Sequence, residues 1–183
     1  MGIIIGLVIA LIIIVVIVNA IQQHKEKQEQ EKRAKAAKQK AIIDETEELL
    51  LNLTHLPSNP KVVEILNQRS LNAVKNMAKI MPEMKGIKNR ISEMEARLNA
   101  SVDLTASNAG QEQSFVLPDN DQQLVVILQT IKKLRMMLKS EQSKGALDAQ
   151  AFMNEDLKLD AMQLKINVES LHKRGMQAHQ KEM

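Results

Sequence analysis

Residues 3–18 read IIIGLVIALIIIVVIV and hold no polar side chain. The apolar stretch runs from Met1 to Ile21 and is broken only by Asn19. At 1.5 Å rise per residue such a helix is about 31 Å long, the thickness of a bilayer's hydrocarbon core. A helix buried in a globular protein ordinarily keeps one polar face, and this one has none. The stretch therefore predicts a transmembrane helix over 1–21. A secretory signal carries a basic segment before its apolar run. Here the basic cluster comes after it, as HKEKQEQEKRAKAAKQK over 24–40. The expectation is an uncleaved single-pass anchor. The excess of Lys and Arg places the following domain in the cytoplasm and the short N-terminus across the membrane.

Within the anchor Gly2, Gly6 and Ala10 recur every four residues. Small residues at that spacing share one helix face and allow another helix to approach closely. They are the candidate packing stripe for a membrane partner or a second copy. Residues 22–41 form a basic stalk of mostly good helix formers, with Glu29 four residues before Arg33 and Glu31 four before Lys35. No Pro or Gly interrupts the chain from there to Leu56. One continuous helix leaving the bilayer is expected. Lys25, Lys27, Lys32 and Arg33 are its candidate contacts to anionic lipid, each worth about 1 kcal/mol near a charged surface.

Residues 42–174 read as a helical domain. Ile42, Thr46, Leu49, Leu53 and Leu56 repeat at four and three, one apolar face of a helix. Pro57 and Pro60 stop it, with Asn59 placed to cap a helix over 60–80. A helix over 82–99 carries Met84, Ile87, Ile91, Met94 and Leu98 as its stripe. The segment NASVDLTASNAGQEQSFVLP, 99–118, is small, polar and aperiodic, and predicts a flexible loop. Asp119 and Gln122 have capping-box spacing ahead of a helix over 119–144. That helix has the stripe Leu124, Ile127, Ile131, Leu134 and Leu138. Gly145 is the expected stop. The last helix, 147–174, carries Leu157, Ala161, Leu164, Val168 and Leu171, with Phe152, Met162 and Ile166 widening its apolar side. Residues 175–183 are expected to fray. The fold class is all-α: a transmembrane helix, a charged juxtamembrane helix, and helical hairpins or a bundle, open to a coiled-coil arrangement.

Composition narrows function further. The chain has 183 residues, no Cys, Trp or Tyr, and a net charge of +3. The absence of Cys excludes disulfides, thiolate metal sites and Cys nucleophiles. No phosphate loop, dinucleotide fingerprint, HExxH or EF-hand pattern occurs. No catalytic, cofactor-binding or metal-binding residue is assigned, and the chain does not read as an enzyme. Nucleic acid is the weaker partner expectation. Lys75, Lys79, Lys85, Lys88, Arg90 and Arg97 would supply one basic surface, and Lys132, Lys133, Arg135 and Lys139 another. No aromatic stacking residues lie among them.

The stretch NAIQQHKEKQEQEKRAKAAKQKAIIDETEELL, 19–50, followed by LPSNPKVVEILNQRSLNAVKNM, 56–77, resembles a family of small bacterial membrane-anchored helical proteins of uncharacterised function. Some members carry the description DNA repair protein. The resemblance covers about the first half of the chain. It implies a bacterial inner-membrane location and carries over no functional residue. In architecture the anchor and charged helix also look like the b subunit of F-type ATP synthase. The breaks at Pro57, Pro60, Pro82 and Pro118 depart from that uninterrupted stalk. The expected partners are thus the lipid bilayer and either a membrane protein complex or a second copy. The chain would act as an adaptor, scaffold or accessory subunit.

Overall fold

The structure, a computed structural model, describes residues 2–107, 118 and 120–182. Every element among them is helical. Helix α1 spans Gly2–Asn52 without a break and ends in a 3-10 turn, Leu53–His55. Then come α2 (Pro60–Ile80), α3 (Ile87–Ser107), α4 (Asp121–Ser143) and α5 (Ala149–Glu182). At 1.5 Å per residue α1 is about 76 Å long.

The helix ends follow local chemistry. Asn59 caps α2 by accepting from the Val62 amide at 3.2 Å, with Pro60 in the first helical position. Asn120, one residue past the expected cap, accepts from the Gln122 amide at 2.9 Å. Asp119 itself lies outside the described residues. Asp148 caps α5 through the amides of Gln150 and Ala151, so that helix begins two residues later than periodicity indicates. At the end of α4, Gly145 donates to the Gln142 carbonyl and Ala146 to that of Glu141, both at 3.0 Å. This is a Schellman closure. Gly145 has φ of 72°, a conformation in which a side chain is strained.

Three expectations need correction. The stretch 99–118 is not a loop throughout, because α3 continues to Ser107. Its hydroxyls bond back along the helix, Ser101 to the Leu98 carbonyl and Thr105 to that of Ser101, and Ser101 is buried. Polar residues so satisfied do not compete with the helical backbone. Residues 108–117 lie outside the described part. The helix expected from 82 starts at Ile87, after a turn through Gly86 at φ of 79°. Met84 therefore sits in the turn and is exposed, while Ile87 and Met94 are buried and Ile91 and Leu98 are half-buried. Finally, α5 passes through Gly175 to Glu182. One interior Gly costs about 1 kcal/mol, too little to end a helix whose other residues favour it.

Two apolar clusters share α1 and α2. Leu49, Val62 and Leu66 pack with Leu124, Ile127, Ile131, Leu134 and Leu138 of α4 and with Leu159 and Ile166 of α5. Ile43, Leu71, Val74 and Met77 pack with Ile87 and Met94 of α3. Along α2 the boundary falls at Arg69 and Ser70, both buried. The Arg69 guanidinium reaches Glu45 of α1 at 2.5 Å and lies 3.5 Å from Glu141 of α4. It thus ties three helices where the two clusters meet. A buried charge left without its partner is strongly destabilising, whereas replacing the buried ion by an apolar side chain of similar volume costs little. Glu45→Ala would leave the Arg69 guanidinium with Glu141 alone at 3.5 Å, while Arg69→Met would leave Glu141 its pair with Lys144 at 2.9 Å. Glu45→Ala is expected to lower unfolding free energy by about 1–3 kcal/mol, and by more than Arg69→Met. Denaturant titration followed by circular dichroism checks the order.

Candidate membrane anchor and helix surfaces

Residues 2–21 belong to α1, and every described side chain among them is exposed. Among the described residues this is the one helix long and apolar enough to cross a membrane, and none of its apolar window is buried. Ile3, Leu7, Leu11 and Ile14 are each more than half exposed. Side chains of that kind left open all round need a non-aqueous solvent or a partner. The small residues Gly2, Gly6 and Ala10 lie within this open segment. A Cβ built on Gly2 or Gly6 would meet nothing within 4 Å.

Beyond it Lys25, Lys27, Lys32 and Arg33 are exposed on the same helix. The fold adds a feature that spacing did not reveal. The turn between α2 and α3 returns to this level, and Lys32 and Arg33 share a shallow cleft of about 340 Å³ with Ile80, Met81, Pro82 and Met84. Lys32 is eleven residues past Ile21, about 16 Å along the helix. The turn thus stands beside the stalk cations Lys32 and Arg33. Antiparallel packing of α2 on α1 causes this: α2 leaves the far end of the domain and runs back.

Farther out, the two long stripes predicted by periodicity separate. Leu124, Ile127, Ile131, Leu134 and Leu138 of α4 are all buried. On α5 the predicted stripe points outward. Leu157, Leu164, Val168 and Leu171 are 70%, 64%, 56% and 68% exposed, and Ala161 is exposed as well. The inward face is Phe152, Glu155, Leu159, Met162 and Ile166, with Leu159 and Ile166 fully enclosed. Both faces have helical spacing, and spacing alone cannot choose between them. Polar contacts hold the inner face in register. Buried Glu155 accepts from Asn59 at 2.7 Å and from Lys158 at 2.8 Å. Arg135 of α4 pairs with Asp156 at 2.7 Å and with Asp160, and Arg174 pairs with Asp121 at 3.3 Å. These pairs make α4 and α5 an antiparallel hairpin. The hydrogen bond to Asp156 raises the Arg135 pKa above its ordinary value, with Asp160 adding to the effect. A raised guanidinium pKa contributes stability below that value and loses it only above, so the clamp stays charged throughout the working pH range.

Many cations of the two basic surfaces are matched by acids. Lys75 meets Glu95, Arg90 meets Glu47, Arg97 meets Glu93 and Lys133 meets Glu48, at 2.7 to 4.0 Å. Among the described residues no group of three or more His, Asp or Glu is placed to hold a metal ion. No protein-family model, curated protein or solved structure matches the chain.

The basic end of the domain is expected to approach anionic headgroups. A fluorophore on Met84→Cys, with the chain in nanodiscs, should be quenched by headgroup nitroxides more strongly in anionic than in zwitterionic bilayers. The difference should shrink in high salt, which screens such contacts.

Proposed function

We propose that this chain is a membrane-tethered adaptor or accessory subunit whose helical domain binds a partner of a membrane-associated complex. The observation that carries the reading is the continuity of α1. Its first turns are apolar and uncovered, and the same helix buries Ile43, Thr46 and Leu49 in the domain. A partner held by the domain would be kept at a fixed distance from the bilayer. The cations from Lys25 to Lys40 favour retention of this side in the cytoplasm, with the N-terminus outside. The resemblance of residues 19–50 and 56–77 to small anchored bacterial proteins supports the inner membrane as the location.

Helix–helix contact is the proposed mode of action. Gly2, Gly6 and Ala10 offer a close-approach face inside the bilayer. The nucleic-acid reading finds less support, because acids sit against many of the cations it would use. Phosphate binding would have to displace them.

Purification at native abundance in mild detergent tests this function. A stoichiometric membrane protein should accompany the chain, and its recovery should fall when Gly6→Leu is introduced. Recovery of the chain with no other protein would count against an accessory subunit.

A further inference from the structure

The outer face of α5 has the composition of a coiled-coil seam. Set in three heptads, Leu157, Leu164 and Leu171 take the d positions, and Asn154, Ala161 and Val168 the a positions. All six are exposed. Leu at d with a β-branched residue at a, here Val168, favours two strands, and a single Asn at a, here Asn154, specifies register. The seam lies roughly opposite the inner face that carries Leu159 and Ile166, so α5 is apolar on two sides and only one is covered. From these observations we propose that α5 pairs with α5 of a second copy of this chain, in parallel and in register.

Charge selects the orientation. Asp160 is at g and Lys165 at e, and in a parallel pair g meets the e position five residues on in the other strand. Asp160 would then face Lys165 of the second copy, twice per dimer. Arg135 already binds both Asp156 and Asp160, and Lys165 lies 3.9 Å from Glu169 of its own helix, so the cross-strand pair would add to these contacts within each chain. An antiparallel pair instead sets e against e, and Lys158 and Lys165 both occupy e. Like charges there oppose association.

The anchor agrees with this choice. Glu48 of α1 meets Lys133 of α4, while Glu45 and Glu141 meet at Arg69, so α4 runs against α1. Since α5 runs against α4, it has the same sense as α1. Two chains leaving one bilayer side by side therefore bring their α5 helices together in parallel. The seam is short, three heptads from 154 to 174. Confinement of both copies to one membrane supplies the local concentration that a short seam needs.

The chain has no Cys, so single cysteines report pairing without interference. Full-length Leu157→Cys, Leu164→Cys and Leu171→Cys would be oxidised in nanodiscs or native membranes, with Lys132→Cys on α4 as the off-seam control. The proposal expects a disulfide-linked dimer from each seam variant alone and none from the control. It also expects Leu164→Asp to convert the detergent-solubilised dimer to a monomer in sedimentation with unchanged helical content. Failure of all three seam variants to cross-link would overturn it, including the case where dimers form through the anchor alone. Cross-linking only when Leu157→Cys and Leu171→Cys are mixed would overturn the parallel arrangement.

Discussion

One helix joins an uncovered apolar segment to a face buried in the domain, and the rest of the structure depends on how it does so. Over its first twenty-odd residues α1 is apolar on every side and uncovered. From Ala36 onward it buries single residues, Ile43, Thr46 and Leu49, at helical spacing. Between these regimes lie polar residues with high helix propensity and no breaker. Because the helix is continuous, the rotation of its buried face about the axis fixes where the other helices sit around the stalk. Its length fixes how far they stand from the apolar segment.

The bundle built on α1 is thin. It has two apolar clusters and no aromatic residue in the innermost set. Arg69 occupies the boundary between them. Its Nε and Nη1 and the Ser70 hydroxyl have no hydrogen-bond partner, which sets a desolvation cost against the ion pairs. What the arrangement contributes is registry, since Glu45, Arg69 and Glu141 bring α1, α2 and α4 to one point. Asn59 does similar work at the far end. Its carbonyl oxygen caps α2 and its amide donates to buried Glu155 of α5.

Much of this was legible in the sequence because the signals were local. The anchor, the Asn59–Pro60 start of α2, the Gly145 stop and the α4 stripe each depend on residues within a few turns of one another. Signals in which local cues compete, or which depend on tertiary context, were not legible. Ser101 and Thr105 look like loop residues until their hydroxyls are seen bonded along α3. Met84 completes a heptad on paper, yet Gly86 turns the chain before the helix begins. On α5 the more regular stripe was the one left outside, since no described helix of the chain covers it. Neither the closeness of Lys32 and Arg33 to the α2–α3 turn nor the Arg69 junction could be found from spacing, as each joins residues far apart in sequence.

The central claim is that α1 is a rigid link between bilayer and domain. Spin labels at Gln22→Cys and Asp44→Cys, both exposed positions on α1, would measure it by double electron–electron resonance in nanodiscs. An unbroken helix places these backbones about 33 Å apart. A single narrow distribution near that distance, after allowance for the label linkers, is the expected result. A broad distribution, or one centred well below it, would show a hinge in the stalk and contradict the account.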